Sequence, residues 1–285
     1  MTTRARVACQ GVPGAFSHQA ALEMFPDADI AFYPTFDDAL AAVGAGAARQ
    51  AVLPVENSAA GRVADMHRLL KTTDLFVTGE HFLRVRHCLL GTTGDLSAVK
   101  TVRSHPQALS QCAGFLKRLG AKIEAAGNTA AAARELSETG RGDVAVIASE
   151  TAARLYGLNV LRSGIEDSSL NTTRFWALSR TPAENVGADG AVTSFLFWVK
   201  NEPAVLYKCL GGFATNGIDL LRLESYVDPE RFLMSAGFLV DVAAHGESAD
   251  FKRAMRELGF FARSVRLLGT YPADPYRAAL KSKQQ

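Results

Sequence analysis

The chain has few cysteines, and their spacing excludes the usual redox and metal motifs. Cys9, Cys88, Cys112 and Cys209 are far apart, so no CxxC pair occurs, and no histidine stands at zinc-ligand spacing from them. The six histidines form no HExxH motif. We therefore expect no metal site and four reduced, buried thiols.

Long apolar runs and a strong net charge are also missing. No segment reaches the roughly 18 apolar residues of a membrane helix, and residues 1–11 lack the apolar run of a secretory signal. With 31 Lys+Arg against 29 Asp+Glu, the chain has no basic stripe for nucleic acid. These absences predict a cytoplasmic protein that binds neither membrane nor nucleic acid.

Common catalytic signatures of α/β proteins are missing as well. The sequence contains no GxSxG elbow, no GxGxxG and no GxxxxGK[ST]. Because the net charge is only +2, a local cluster of donors must hold any anionic ligand.

What the chain does contain is a repeated strand–loop–helix pattern, which predicts an α/β fold with a mainly parallel sheet. It recurs in two regions, about 4–75 with 160–180 and 90–160, so we expect two lobes joined by crossings near 75–90 and 160–178. Ligands of open α/β sheets bind where strands end and helices begin. The space between the lobes is therefore the expected site.

The C-terminal part has a different order of elements. Residues 181–191 are polar and predict a linker. Residues 192–272 follow the order β-α-β-β-α-β, with a turn at Asp228–Glu230, which is a ferredoxin-like unit. Such small sheets have edges that a second copy can cover, so we expect a homodimer or homotetramer.

Four short segments carry polar residues suited to the cleft. They contain Ser17, predicted to cap a helix, and Gln19; Glu56, Asn57 and Ser58 after a buried strand; Ser104, His105 and Gln107 at the start of a helix predicted to end before Gly120; and Asn171, Thr172, Thr173, Arg174 and Phe175. Helix N-termini, amides, hydroxyls and a forked guanidinium together suit a small polycarboxylate. Each segment alone also fits an ordinary turn or strand, and His105 fits a capping role as well as an acid–base role.

Taken together and in this order, the segments resemble the prephenate dehydratase family. The resemblance covers about Arg4 to Tyr276 and rests on the glycine-rich start, Pro-x-Glu-Asn-Ser at 54–58, Ser-His-Pro-Gln-Ala at 104–108 and Thr-Arg-Phe at 173–175. It implies a catalytic domain over 4–180, folded like a type 2 periplasmic-binding protein, and an ACT domain over 192–272.

The resemblance implies a carbon–oxygen lyase that converts prephenate to phenylpyruvate, carbon dioxide and water without a cofactor, in L-phenylalanine biosynthesis. Thr173 matches the catalytic threonine and would hydrogen-bond to the leaving oxygen, while Arg174 would pair with a carboxylate. The other residues of the four segments would bind or support the substrate.

The implied ACT domain suggests L-phenylalanine as an effector. Its expected site residues are Ala204, Val205, Leu206, Asn216, Gly217, Ile218, Glu224 and Ser225. Ala204 stands where the family has glycine, and the family's Arg-Pro after Glu-Ser is Tyr226-Val227 here. A phenylalanine site of altered affinity and a purely structural dimerising domain therefore both remain open.

Two other functions also remain open. One is arogenate dehydratase, which performs the same elimination on the amino-acid analogue. The other is a non-catalytic carboxylate sensor, although Thr173 beside Arg174 favours an enzyme because binding alone needs the arginine more than the threonine.

Overall fold

The computed structural model describes residues 4–227 and 236–282, and the chain divides into two compact units. Unit 1 is Met1–Leu69 with His81–Phe175, and unit 2 is Leu70–Glu80 with Trp176–Gln285. The division differs from the predicted boundary at 181–191 because residues 70–80 and 176–179 group with the C-terminal part. The predicted turn at Asp228–Glu230 lies outside the described residues.

Unit 1 consists of two sheets and the helices that connect their strands. Its elements in chain order are β1 (Arg6–Gln10), α1 (Phe16–Met24), β2 (Asp29–Tyr33), α2 (Phe36–Gly44), β3 (Gln50–Asn57), β4 (Gly61–Arg62), α3 (Ala64–Leu69), β5 (Phe76–Arg84), β6 (Cys88–Gly91), β7 (Thr101–Ser104), α4 (Pro106–Gln111), α5 (Ala113–Leu119), β8 (Lys122–Ala125), α6 (Thr129–Thr139), β9 (Val144–Ala148), α7 (Glu150–Tyr156), β10 (Asn159–Ser163) and β11 (Thr172–Ser179). Strands β5 and β11 continue from one unit into the other.

The two sheets are mixed rather than mainly parallel. The first has the order β2-β1-β3-β11-β5, with β4 paired to β3, and the second has the order β10-β6-β9-β7-β8. Strand β1 is parallel to β2 and β3, and β7 is parallel to β8 and β9. However, β6 pairs antiparallel with β9 and β10. The segments near 75–90 and 160–178, expected to be crossings between lobes, thus contain the sheet strands β5, β6, β10 and β11. Strand β10 belongs to the second sheet, although residues 160–180 were predicted to join the first lobe.

Two predicted helix details are wrong. Helix α1 starts at Phe16, so Ser17 lies inside it, and its N-cap Ala15 makes no side-chain cap bond. The helix that begins at Pro106 does not continue to Gly120. It is interrupted at Cys112, whose ψ of 18° departs from helical geometry.

Unit 2 contains an antiparallel four-stranded sheet with two helices. Its elements are β12 (Ala191–Val199), α8 (Val205–Thr215), β13 (Leu220–Val227), β14 (Ala236–Val242), α9 (Ala249–Phe261), β15 (Ala262–Pro272) and α10 (Pro275–Ser282). The strand order β13-β14-β12-β15 and the β-α-β-β-α-β sequence are those of a ferredoxin-like unit. Helix α10 follows that unit and was not predicted.

Both faces of the sheet in unit 2 bury apolar side chains. On one face Phe195 is fully buried and stacks on Phe213 of α8 with ring centroids 5.6 Å apart. On the other face Leu196 is fully buried. Gly269 of β15 pairs with Ser194, two residues before Leu196 on β12. A Cβ at Gly269 would collide with the carbonyl oxygen of Val77. The close backbone approach of β5 therefore requires glycine there and explains why residues 70–80 belong to unit 2.

Candidate active site

A cavity of about 170 Å³ in unit 1 is lined by strand ends, helix starts and crossing segments. Its lining residues are Phe16, Asn57, Val85, His87, His105, Gln107, Ala108, Gln111, Thr129, Asn171 and Thr173. Five predicted site residues are among them, namely Asn57, His105, Gln107, Asn171 and Thr173. Strand β3 ends at Asn57 and the adjacent β11 begins next to Asn171, so sheet order brings these two segments together.

Hydrogen bonds fix the side chains around Thr173. Asn57 Nδ2 donates to Thr173 Oγ1 at 2.8 Å and to Asn171 Oδ1 at 2.7 Å. The other end of the same amide is also held, because Asn57 Oδ1 accepts from the backbone N–H groups of Ala59 and Ala60 at 2.9 Å. The turn after β3 therefore decides that Asn57 presents its nitrogen, not its oxygen, to Thr173.

The hydrogen-bond chain continues to a buried histidine. Asn171 Nδ2 donates to Gln111 Oε1 at 3.3 Å, and His87 Nε2 lies 2.8 Å from the same oxygen. Because Gln111 Oε1 is an acceptor, His87 Nε2 carries the proton of that bond. We refer to Thr173, Asn57, Asn171, Gln111 and His87 as the cleft network.

Apart from the Nδ1 lone pair of His87, which has no partner among the described residues, the groups of the cleft network that remain available are donors. The oxygens of Asn171, Gln111 and Thr173 each accept at least one bond within it. Within the described part of the chain, the Thr173 hydroxyl proton and the Gln111 N–H groups have no acceptor. Such a site favours a ligand that brings oxygen acceptors of its own.

The remaining predicted site residues do not line the cavity. These are Glu56, Ser58, Ser17, Gln19, Ser104, Thr172, Arg174 and Phe175. Arg174 is only 1% exposed, its Nη1 lies 3.4 Å from Glu56 Oε1, and its guanidinium lies over the Phe82 ring. Phe175 is part of the core beneath α1.

The side chains of Ser104, Ser58 and Gln19 form hydrogen bonds within the protein rather than lining the cavity. Ser104 is fully buried and donates to the carbonyl oxygen of Ile147 at 2.7 Å. Ser58 Oγ donates to the carbonyl oxygen of Leu170 at 2.7 Å, and Gln19 donates to a neighbouring glutamate of α1. His105 caps α4, since its Nδ1 accepts from the Gln107 N–H at 3.2 Å.

Sequence reasoning missed two members of the cleft network, Gln111 and His87. Gln111 follows Gln107 by four residues on α4, so the two share a helix face, and this spacing was an available signal. His87 lies in the short segment between β5 and β6, and no sequence pattern marks it. Phe16, Val85, Ala108 and Thr129 were missed as well.

Burial shifts the pKa values of His87, Cys9 and Cys112 in the direction that favours their neutral forms. It lowers the pKa of His87, and the hydrogen bond to Gln111 and the Glu166 carboxylate only partly offset this. Burial also raises the pKa of the Cys9 thiol to about 12 and that of Cys112 to about 12. Within residues 4–227 and 236–282 no cluster of His, Cys, Asp or Glu suits a metal ion, and no helix there is long and apolar enough to span a bilayer.

The predicted effector residues lie at both ends of α8 and on β13. Ala204 is the N-cap of α8 with φ 56° and ψ 23°, a left-handed conformation that favours glycine. Asn216 ends the helix and accepts from Arg253 Nε at 2.8 Å. Because a helix of 11 residues is about 16 Å long, one chain does not bring Ala204 and Asn216 together.

Two mixed sheets, with an uncharged hydrogen-bonding cleft in the same unit, define an α/β protein that binds a small molecule. The family model for prephenate dehydratase matches residues 7–183. The chain therefore belongs to the prephenate dehydratase family, whose members are hydro-lyases.

Relatives support this assignment over most of the chain. A bifunctional N-acyl-homoserine lactone acylase/prephenate dehydratase of Komagataeibacter europaeus is 44% identical, with 95% of this chain and 97% of that protein aligned. Arogenate dehydratase/prephenate dehydratase 2 of Arabidopsis thaliana is 38% identical, over 95% of this chain and 74% of that protein. A crystal structure of prephenate dehydratase from Arthrobacter aurescens with L-Phe has a TM-score of 0.84 at 27% identity, covering 98% of this chain and 97% of that one. The predicted family, activity and α/β fold are thereby confirmed.

Proposed function

We propose that the cavity around Thr173 is where this prephenate dehydratase performs the decarboxylating dehydration of prephenate. The supporting observation is that oxygens of the cleft network are occupied while the Thr173 O–H and the Gln111 N–H groups lack an acceptor in the described chain. Prephenate brings two carboxylates and a hydroxyl, all of which accept hydrogen bonds. Loss of carbon dioxide and hydroxide restores an aromatic ring, so the driving force lies in the substrate.

In the proposed mechanism Thr173 stabilises the leaving oxygen. Asn57 Nδ2 occupies a lone pair of Thr173 Oγ1 at 2.8 Å, which directs the hydroxyl proton away from Asn57. As the ring C–O bond breaks, negative charge develops on the departing oxygen, and the Thr173 O–H donates to it. The electron pair of the breaking carboxylate C–C bond enters the ring and carbon dioxide leaves. The departing hydroxide takes a proton from solvent water and so becomes water, while the solvent is left with the hydroxide.

Arg174 remains the proposed partner of a substrate carboxylate. It follows Thr173 directly in β11, and a guanidinium buried beside Glu56 at 3.4 Å is the type of group that forks onto a carboxylate. Because it does not line the cavity, this role requires a shift of its side chain when substrate binds.

The proposed function is tested by incubating the purified protein with prephenate and recording phenylpyruvate absorbance. A parallel reaction with arogenate, followed by phenylalanine detection, separates the two substrates that the relatives' names combine. Turnover of prephenate at the higher kcat/KM is the expected result. No product from prephenate would refute the function, and a preference for arogenate would change the substrate.

Acyl-homoserine lactone hydrolysis is a second candidate function, because the 44% identical relative carries both activities in its name. None of the four described thiols is activated for such a reaction, since burial raises the pKa of Cys9, Cys88, Cys112 and Cys209. The test is release of homoserine lactone from an acylated substrate, with Thr173→Ala showing whether the two activities share a site.

We further propose that residues 4–180 form a periplasmic-binding-protein-like catalytic domain and that 192–272 form an ACT domain. Support for the second comes from the ferredoxin-like strand order and from the solved relative with L-Phe. Since the ends of α8 are about 16 Å apart, an effector site using Ala204 and Asn216 needs a second copy. A dimer or tetramer with L-phenylalanine as effector follows. Four free, buried thiols support the cytoplasm as its location.

The regulatory proposal is tested by titrating dehydratase activity with L-phenylalanine while measuring binding heat and mass in solution. Allosteric couplings of about 1–3 kcal/mol predict a shift in activity of at least severalfold. Flat activity and no heat up to millimolar phenylalanine would leave assembly as the only role, and a monomeric mass would contradict that role too.

A further inference from the structure

His87 is a buried histidine of the cavity wall that no residue pattern singled out. It is 2% exposed, and its Nδ1 has no hydrogen-bond partner among the described residues. The ring contacts Phe16 edge-on with centroids 5.6 Å apart, and its backbone N–H donates to Glu166 Oε2 at 2.9 Å. Its position is thus fixed by packing and by the main chain, while one ring nitrogen is committed to Gln111.

The hydrogen bond from His87 to Gln111 determines which end of the Gln111 side-chain amide has no partner. Gln111 Oε1 accepts from His87 Nε2 at 2.8 Å and from Asn171 Nδ2 at 3.3 Å. With two donors on its oxygen, the amide is held in one orientation, and its N–H groups are the ends left without an acceptor. If the amide turned over, its N–H groups would face two donors.

We propose that His87 is a positioning residue for the dehydration, which holds the Gln111 oxygen so that the Gln111 N–H groups remain available to a substrate carboxylate. The inference rests on the proposed function of this cavity. It requires the Nε2–H tautomer of His87, because an Nδ1–H tautomer would present a lone pair to the Gln111 oxygen.

The first test compares two substitutions at His87. His87→Gln keeps an N–H near the position of Nε2, and we expect it to retain kcat/KM for prephenate within about fivefold. His87→Phe keeps a ring against Phe16 but has no donor. We expect it to lose at least tenfold, the value of one hydrogen bond of about 1.4 kcal/mol. Equal losses in both variants would mean that His87 acts by packing, and would overturn the proposal.

A double-mutant cycle shows whether His87 acts through Gln111. In a Gln111→Met background His87→Phe should cost less than twofold, since the group it positions is gone. The matched control is His67, which is also 2% exposed and has one ring nitrogen 3.0 Å from the Val55 carbonyl oxygen. His67→Phe should leave kcat/KM within twofold in both backgrounds. Additive effects of His87→Phe and Gln111→Met would overturn the proposal.

A measurement on the unmutated enzyme covers the case in which His87→Phe does not fold. Nitrogen-15 spectra of the histidine rings, assigned with His87→Gln, should show His87 as the neutral Nε2–H tautomer. The Nδ1–H tautomer would overturn the proposal. An enzyme without activity on prephenate would refute the proposed function instead, so the two failures are distinguishable.

Discussion

Two groups of polar side chains, a partly buried one in unit 1 and a buried one in unit 2, differ in charge and in how fully their hydrogen-bonding groups are satisfied. The cleft network of unit 1 consists of amides, a hydroxyl and an imidazole. In unit 2 the side chain of Glu80 is fully buried and accepts from Arg277 Nε at 2.5 Å and from Arg277 Nη2 at 2.9 Å. It also accepts from the Asp274 N–H at 3.2 Å. We refer to Glu80, Arg277, Asp241 and Ser194 as the Glu80 cluster.

The second carboxylate of the Glu80 cluster is satisfied in the same way. Asp241, fully buried on β14, accepts from Ser194 Oγ at 2.5 Å, and its Oδ2 lies 3.9 Å from Arg277 Nη2. Ser194 Oγ also lies 2.6 Å from the Tyr271 hydroxyl. The helix α10, which carries Arg277, is thereby attached to both β5 and the ferredoxin-like sheet.

The Glu80 cluster is expected to contribute to stability, and the cleft network is expected to contribute to function. In the Glu80 cluster each carboxylate has donors around it, as burial of charge requires. In the cleft network the donors outnumber their acceptors, so water or a ligand must supply the missing oxygens. Substitutions in the first should therefore affect unfolding, and substitutions in the second should affect turnover.

The largest effect is expected from Arg277→Met. It leaves the Glu80 carboxylate buried without its main partner, so the free energy of unfolding should fall by about 3–5 kcal/mol. Urea denaturation measures this. Arg6→Met is the control, because Arg6 and Asp29 are 56% and 54% exposed, and such a surface pair contributes no more than about 1 kcal/mol. Similar losses in both variants would contradict the role of the Glu80 cluster.

Thr173→Ala should leave stability nearly unchanged and lower kcat by about 10²–10³, the usual cost of one donor to a developing oxyanion. Thr173→Ser restores a hydroxyl and should recover part of the rate. Thr139→Ala, at the end of α6, serves as a control outside the cavity. The measurement is kcat from steady-state kinetics with prephenate. A near-normal kcat for Thr173→Ala would show that Thr173 is not a catalytic residue.

Arg174→Lys should raise KM by about tenfold with a smaller change in kcat, because an ammonium does not fork onto a carboxylate. The control is Arg103→Lys, whose side chain is 31% exposed and pairs with Glu124 and Glu135 instead. An unchanged KM, accompanied by a loss of stability equal to that of Glu56→Gln, would make Arg174 a structural partner of Glu56 only.

The smallest effect concerns pH. Burial lowers the pKa of His87 and of His18, so the unfolded chain binds protons more readily than the folded protein. The free energy of unfolding should therefore fall as pH drops below about 6.5, by less than about 1.4 kcal/mol per pH unit for each histidine. His87→Gln should reduce this slope, leaving the share of His18. An identical slope would show that His87 is not buried as a neutral ring.

The parts of the fold and site that depend on local pattern could be predicted, whereas those that depend on tertiary contact could not. Asn57 ends a buried strand that the sequence predicts, whereas Asn171 and Thr173 lie at the start of β11, in a segment predicted as a crossing, and were indicated by the family motif. His87 acquires its place only when the segment after β5 meets α4. The burial of Arg174 and the attachment of α10 to Glu80 likewise depend on residues more than one hundred positions apart, and no local pattern carries that information.

The surplus of hydrogen-bond donors in the cleft network also affects how the products are released. Prephenate has two carboxylates, whereas phenylpyruvate has one and carbon dioxide has no charge. In the cavity, N–H and O–H donors face the bound molecule, and each reaction removes one carboxylate from that molecule. The products therefore offer these donors fewer acceptor oxygens than prephenate does. We expect phenylpyruvate to inhibit weakly relative to the affinity for prephenate, so that product departure does not limit the rate and each cycle ends with the donors again exposed to water.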